Sequence, residues 1–310
     1  MTGHANPFEA DGVWLRAQLH CHTTNSDGEL DPAALAASYA AAGYDVLAVT
    51  DHWRITRDAG DHGMVMLSGA ELNADLPGPE RYCDLIALGI DELPAGAGVR
   101  SNNSFPDISA AAEWITGSGG LAFLAHPSWS GVRHHLVTGS RGLTGLETFN
   151  ATSELDAGRG DSSTLWDETL EDGVALVGVA VDDAHYAPGD LNRAWTSIRA
   201  RERTPEAVLA ALAAGSCYAS TGPAIHDARR TGDDVEVRCD PAAAVVLRTR
   251  YEYGCGAIGP PRPRTWQAEI LSTDSEWFIT AARFHPEPDA PYVRVTVTDP
   301  RGGSAWTNLL

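Results

Sequence analysis

Histidines and carboxylates fall in short, separated clusters along this 310-residue chain, beginning with His20-Cys21-His22 and the run that follows to Asp27-Gly28. Others come as Asp51-His52, Glu71, Ala125-His126-Pro127, the stretch Glu147 to Asn150, and Asp183-Ala184-His185. On a strand, residues i and i+2 share a face, so His20 and His22 can grip one ion together. Imidazole mixed with carboxylate suits zinc, manganese or iron better than calcium or magnesium alone. One such cluster by itself is ordinarily a surface pair or a satisfied core histidine; repetition changes the reading. Each candidate follows an apolar, strand-like run: Trp14 to Leu19, Val46 to Thr50, Met64 to Ala70, Leu121 to Ala125, and Ala175 to Val181. Functional residues at the carboxyl ends of successive parallel strands mark a barrel or doubly wound active site. The chain reads as a metallohydrolase.

The elements that must position these residues are visible in the first two-thirds, where strand and helix signals alternate as in a parallel α/β architecture. Asp31-Pro32 opens an alanine-rich helix through Ala42, with Gly43 as its stop, and the strand Asp45 to Thr50 follows. A helix is expected from Ile108 to about Thr116, another from the cap Asp161-Ser162-Ser163 to Glu171, and a last one from Thr204-Pro205 through Ala214. Beyond residue 222 the grammar changes. Val235 and Val237, then Val293, Val295 and Val297, alternate with polar neighbours, and further strand-like runs cover Ala244 to Arg250, Thr265 to Leu271 and Trp277 to Phe284. This predicts an antiparallel, sandwich-like β unit over 223–310 after a catalytic unit over 1–222, with Tyr251 to Arg264 as a loop.

Composition narrows the function classes. The net charge is −20 and all 22 basic residues are arginine. That balance argues against a nucleic-acid surface, which needs positive stripes, and leaves a small-molecule substrate as the expected partner. Absent lysine excludes a Walker P-loop and any lysine Schiff base. Five cysteines without close spacing point to reduced thiols and exclude a paired zinc knuckle. No apolar run approaches the roughly 18 residues that span a bilayer, and no signal peptide is visible at the start, so no membrane partner and a cytoplasmic location are expected. Cys21 lies between two candidate ligands and is read as a packing residue of the opposite strand face.

The run Leu19-His20-Cys21-His22-Thr23 through Ser26-Asp27-Gly28, with Val49-Thr50-Asp51-His52, Ala125-His126-Pro127 and Asp183-Ala184-His185, resembles the polymerase and histidinol phosphatase (PHP) family over about residues 14 to 222. The resemblance implies a distorted (β/α)7 barrel with two or three divalent ions (zinc, manganese or iron) at its carboxyl-end mouth. Carried over by position, the implied ligands are His20, His22, Asp27, His52, Glu71, His126, Asp183 and His185, with a ninth at Glu147 or Asn150 and Glu147 taken first. Where many relatives carry a histidine before the strand Leu85 to Ile90, this chain has Asp84. The segment Cys217 to Pro223 and the closing Tyr292 to Asn308 are similar to a PHP branch with a C-terminal β domain that includes carbaryl-type carbamate hydrolases.

The chemistry expected of such a site is hydrolysis. Paired cations lower the pKa of water, with Glu71 bridging two ions, a bridging hydroxide attacking and Asp183 orienting it. Arg54, just past His52, and Arg133 with His134 and His135 are the candidate clamps for a phosphoryl group, and His134 or His135 is the candidate acid for the leaving oxygen. Three readings follow. The first is a phosphoesterase acting on a small phosphomonoester or cyclic phosphodiester, the second a metal-dependent carbamate, amide or carboxylic-ester hydrolase, and the third a non-catalytic metal-binding module. Exhaustive chelation with EDTA is expected to abolish hydrolysis, and manganese, zinc or iron to restore it to different extents; unchanged turnover in protein verified metal-free contradicts the assignment.

Overall fold

The computed structural model describes residues 4–78, 81–95, 103–250, 255–259 and 264–310. In chain order the first part holds β1 (Val13–Gln18), α1 (Pro32–Ala41), β2 (Val46–Ala48), β3 (Val65–Leu67), β4 (Gly69–Asp75), β5 (Tyr82–Leu88), α2 (Ile108–Gly117), β6 (Leu121–Leu124), α3 (Pro127–Ser130), α4 (His134–Thr138), β7 (Gly145–Asn150), α5 (Ala151–Ala157), α6 (Ser163–Glu171), β8 (Val177–Val181), β9 (Trp195–Ala200), α7 (Pro205–Ala213) and β10 (Cys217–Ser220). The remainder is all strand: β11 (Ile225–Thr231), β12 (Asp234–Ala242), β13 (Ala244–Arg248), β14 (Cys255–Ile258), β15 (Arg264–Trp266), β16 (Ala268–Thr273), β17 (Ile279–Phe284), β18 (Arg294–Thr298) and β19 (Ser304–Thr307).

Helix starts follow local chemistry. Asp31 accepts a hydrogen bond from the Ala34 amide at 3.0 Å, and Asp107 does the same for Ala110 at 2.8 Å, each satisfying an amide that the first helical turn leaves without a partner. Thr204 caps α7 through the Ala207 amide, with Pro205 pre-set in the first turn. Ser162 precedes α6 as expected but does not cap it; its hydroxyl is spent on Ser128, tying α3 to the start of that helix. Of the expected loop over 251–264, residues 251–254 and 260–263 lie outside the described residues. Cys255–Ile258, inside that range, is strand β14, and Arg264 opens β15.

The barrel expectation is met only in part. Three sheets form: β4-β5-β6-β7-β8, the antiparallel β11-β12-β17-β16, and a ten-stranded sheet ordered β15-β14-β13-β18-β19-β10-β9-β1-β2-β3. Neighbours β1, β2 and β3 are parallel, as are β6, β7 and β8, whereas β4/β5, β5/β6 and β1/β9 are antiparallel. No continuous ladder closes the first two-thirds into a ring among the described residues. The five-stranded and ten-stranded sheets instead meet through isolated parallel bridges, Cys21 with Ala184 and His52 with Glu71. Both bridges lie at the end where the histidine clusters sit. Apolar side chains fill the space between the sheets, with Leu15, Ala17, Leu19, Val46, Ile86, Phe123, Val179 and Val181 in one buried cluster.

The C-terminal strands are built into this framework, because β19 pairs with β10 on one side and β18 on the other. Just past β19, the buried Asn308 side chain accepts from the Gly178 amide at 2.8 Å and donates to the carbonyls of Gly178 and Cys217 at 3.2 and 3.0 Å, clasping β8 and β10 together. Arg294 on β18 is buried, makes a two-pronged bond to Asp167 of α6 at 2.7 and 2.6 Å, and lies over the Trp166 ring. Among the described residues no helix is long and apolar enough to cross a membrane. Asn308→Ala strands a buried amide and two carbonyls and is expected to cost about 2–4 kcal/mol. Urea denaturation at unchanged m-value measures this; a loss below about 0.5 kcal/mol shows that the clasp contributes little.

Candidate metal centre

Strand alternation delivers the first pair. The extended chain just past β1 places His20 and His22 on one side, and their Nε2 atoms stand 3.0 Å apart. Between them Cys21 turns the other way, buried among Leu35, Ala36 and Tyr39 with its Sγ bonded to the Ala48 carbonyl; burial first, and then the nearby Asp51 carboxylate, push its thiol far above the usual range. Glu71 comes from within β4, not from beyond a strand end as expected. The chain bends between Leu67 and Gly69, so one apolar run supplies β3 to one sheet and β4 to the other. His52 meets Glu71 across the isolated bridge between the sheets, and its Nδ1 lies 3.0 Å from Glu71 Oε2.

Three residues here have left-handed backbones without being glycine: Trp53 (φ 51°), His126 (φ 26°) and Asp183 (φ 57°). Such conformations are costly for residues with a Cβ and persist where the surroundings over-determine them. At Asp183 the amide bonds to the His20 carbonyl at 2.9 Å, and the His22 amide bonds to the Ala184 carbonyl at 3.0 Å. These two bonds hold the Asp183 and His20 side chains against each other, with Oδ1 to Nε2 at 2.9 Å. Asp183 Oδ1 also lies 3.2 Å from His22 Nε2. On the other side His126 Nε2 is 3.1 Å from Glu71 Oε1. Asp27, half-exposed, lies 3.5 Å from each of His22, His52 and His185.

The far ring nitrogens explain why the near ones point inward. His20 Nδ1 is 2.7 Å from Glu147 Oε1, His22 Nδ1 is 3.2 Å from Ser26 Oγ, His126 Nδ1 is 3.1 Å from Ser130 Oγ, and His185 Nδ1 is 2.7 Å from the Asp183 carbonyl. A proton held on each Nδ1 leaves the Nε2 lone pair free to face the centre, which is how ligating histidines are oriented. Glu147 stands behind this set. Its Oε1 faces His20, and its Oε2 accepts from the His126 amide and from the Asn150 side chain at 2.7 and 2.8 Å. Asn150 in turn donates to Asp183 Oδ2 at 3.1 Å. Neither member of the Glu147/Asn150 alternative faces the centre; both brace residues that do. Three sets of donor atoms lie close enough to share an ion: His22, Asp27, His52 and His185; His20, His22 and Glu71; and His52, Glu71 and Asp84.

Asp84 therefore takes a place in the site that sequence reasoning left open. It is buried, bonded to the Asn73 side chain, and 3.8 Å from His126 Nε2. Asn73 also accepts from the Trp53 indole at 2.6 Å, so the residue after His52 is pinned to the wall that carries Asp84. The signal was present as a carboxylate where the family resemblance leads one to expect a histidine. The arginine candidates fare differently. The cavity over the centre, about 240 Å³, is lined by Asp27, His52, Glu71, Asp84, His126, Asp183 and His185, together with the exposed Trp129, Tyr186 and Asp156 and the buried Thr152 and Ser153. Arg54 lines a neighbouring cavity of about 730 Å³ that shares only Asp27 and His52 with it. Arg133 precedes α4 and is exposed, and His134 lies 3.3 Å from Asp172 after α6, so neither lines the cavity over the centre.

Electrostatically, the groups hold each other in charged forms. Burial disfavours protonated His22 and His126, but the carboxylates of Glu71 and Asp183 outweigh it and raise both to about 9. Burial works against ionised Glu71 and Asp183 as well, and the surrounding imidazoles outweigh it, holding both well below the usual carboxylate range. Below about pH 9 these histidines carry protons that an incoming cation must displace. Metal uptake at pH 7.5 is therefore expected to release protons and to weaken steadily as pH falls toward 6. Calorimetry in buffers of different ionisation enthalpy measures the release; uptake with no proton release is the contrary result.

No family model matches the chain, and no curated protein matches it. Among solved structures, a two-domain protein from Bacteroides vulgatus containing a predicted PHP-like metal-dependent phosphoesterase is similar over 99% of this chain and 98% of its own, at 15% identity and a TM-score of 0.52. An amidohydrolase from Chromobacterium violaceum overlaps 56% of this chain and 89% of its own at 19% identity and a TM-score of 0.44. A Bifidobacterium adolescentis protein described as a metal-dependent phosphoesterase overlaps 55% of this chain and 87% of its own, at 15% identity and a TM-score of 0.40. The two partial likenesses carry no argument. The full-length one concerns the fold alone: a PHP-like two-domain architecture from end to end.

Proposed function

From a chain with the PHP-like two-domain fold along its whole length, we propose a metal-dependent hydrolase, with small phosphomonoesters or cyclic phosphodiesters as its substrates. The observation that carries the hydrolase reading is the inward convergence of the Nε2 atoms of His20, His22 and His126 on Glu71 and Asp183, with His185 Nε2 turned to Asp27 beside them and each imidazole braced from behind. This donor set fits divalent ions: mixed nitrogen and oxygen atoms, buried, with a carboxylate oxygen (Asp183 Oδ1) that receives no hydrogen bond. His20, His22, Asp27, His52, Glu71, Asp84, His126, Asp183 and His185 are the residues that would hold two or three ions. Such ions supply Lewis acidity and make water a nucleophile near neutral pH.

The chain's own residues do the rest. Asp183, fixed through Oδ2 by Asn150, keeps Oδ1 toward the centre, where it can orient the attacking water and accept its proton. Glu71 lies between the histidines of the two sheets and fixes their separation. Trp129 and Tyr186 flank the mouth as exposed aromatic faces, against which the leaving group can pack.

One observation favours the carbamate, amide or ester reading as a second choice. The cavity over the centre is lined by five carboxylates (Asp27, Glu71, Asp84, Asp156 and Asp183) and by no arginine among the described residues. Three divalent ions leave that cavity about one net positive charge, suited to a phosphate, whereas two leave it about one negative charge, suited to a neutral ester. Metal count and substrate class are thus tied together. Protein of known metal content, assayed on p-nitrophenyl phosphate, bis-p-nitrophenyl phosphate and p-nitrophenyl acetate, is expected to cleave the phosphoesters with three ions bound, with inorganic phosphate a competitive inhibitor. Cleavage of the acetate alone, insensitive to phosphate, moves the assignment to the second reading; no cleavage of any ester by fully loaded protein removes both.

A further inference from the structure

The two histidines of the His20-Cys21-His22 run are braced by different parts of the chain. Behind His20 stands a carboxylate, Glu147 of β7, in direct contact at 2.7 Å. Behind His22 stands a hydroxyl, Ser26 Oγ, at 3.2 Å from Nδ1. Ser26 has one proton to give, and it gives it to Asp51 Oδ1 at 2.7 Å. It can therefore only accept from His22, and this fixes the proton on Nδ1 and the lone pair on Nε2. Asp51 is fully buried and takes three more hydrogen bonds: from the Thr23 amide at 2.8 Å, the Thr23 hydroxyl at 2.7 Å and the Thr56 hydroxyl at 2.5 Å. The turn it holds is the one that carries Asp27, closed further by the Ser26 and Gly28 amides on the Thr23 carbonyl.

These contacts divide the centre. His22 belongs to both sets, but the His20, His22 and Glu71 set is enclosed and keeps His20, braced through Glu147, and Glu71 independently of the Ser26 link. The His22, Asp27, His52 and His185 set depends on the 23–28 turn and includes a carboxylate 37% exposed at its side chain. We infer that Asp51, acting through Ser26, is a positioning residue that sets occupancy of the outer, half-exposed cation set, so that one ion is exchangeable while those nearer Glu71 stay bound. This rests on the metal-dependent reading above. It adds that loading is stepwise, with the labile step controlled from a buried carboxylate that touches neither ion nor substrate.

The test compares two hydroxyl deletions around the same carboxylate. Ser26→Ala breaks the link to His22, whereas Thr56→Val removes another hydrogen bond to Asp51, and the one Thr56 accepts from the Asn25 side chain, without touching that link. Outer-ligand losses of this kind lower metal affinity by roughly 10–100-fold. Ser26→Ala is expected to lose one metal equivalent on dialysis against a weak chelator, with the remaining equivalents retained, and to alter the visible spectrum of the cobalt-substituted protein. Thr56→Val is expected to keep wild-type stoichiometry and spectrum within about twofold in affinity, whatever both do to the melting temperature. Equal metal loss in both variants, or none in Ser26→Ala, overturns the positioning role. Should Ser26→Ala not fold, Ser26→Thr, which keeps the hydroxyl, and Ser26→Cys, which replaces it with a weaker acceptor, give the same comparison: threonine restoring the labile ion supports the relay, and cysteine binding it equally well overturns it. Wild-type protein that binds no divalent ion defeats the metal-dependent reading itself, a result separable from either.

Discussion

Everything at this centre depends on a seam of backbone hydrogen bonds between two sheets that share no continuous ladder among the described residues. Asp183 bonds to the His20 carbonyl and His22 to the Ala184 carbonyl, while the Trp53 and Glu71 amides bond across to Glu71 and Thr50 carbonyls. These bonds join the ends of β1 and β2 of one sheet to the end of β8 and to β4 of the other. A continuous barrel would spread that closure along whole strands; here it is concentrated where the ionisable side chains are. The left-handed turns at Trp53, His126 and Asp183 are part of the same arrangement, because an ordinary extended exit would send alternate side chains away from the seam. Fold closure and site assembly are one event.

The electrostatic consequence is a centre that cannot be neutral piece by piece. His20, His22, His126, Glu71, Glu147 and Asp183 are all buried, and a carboxylate out of water is costly unless a cation or hydrogen bonds accompany it. Protonated imidazoles can supply that charge, and divalent ions can replace them. No arginine lines the cavity to share the role among the described residues. A chain with net charge −20 and no lysine has therefore left this negative pocket to be balanced from outside.

How much of this was legible in the sequence follows the same physics. His20 and His22 were readable because a period of two is a property of any strand, and the strand-end residues because apolar runs announce strands. Glu71 was singled out as a residue past a strand end and instead lies within β4: nothing in Met64 to Ala70 marks the bend that splits the run between two sheets. The choice between Glu147 and Asn150 was closed to sequence reasoning because the β7/β8 pairing shifts register between Glu147 and Phe149, which breaks the alternation that spacing arguments use. Arg133 and His134 looked suitable because they follow a ligand-bearing strand, yet the short helix they begin packs on α6 and draws His134 toward Asp172. The Asp51 brace was invisible, since neither its burial nor its link to His22 through Ser26 can be read from spacing along the chain.

The pair Asp182-Asp183 shows how little of a residue's role is set by its type. Both carboxylates are buried, and they are adjacent in the chain. Asp182 turns outward from the centre and accepts from the amides of Asn192, Arg193 and Ala194 and from the Tyr39 hydroxyl, gathering the loop before β9 against α1. Burial pushes its carboxyl up to about 6, against the pull of those hydrogen bonds. Asp183, one residue on and at φ 57°, faces imidazoles that outweigh its burial and hold it ionised. Its neighbour's four hydrogen bonds anchor the backbone at the end of β8 just where Asp183 must adopt its left-handed turn. The carboxylate that never meets the centre thus fixes the position of the one that does.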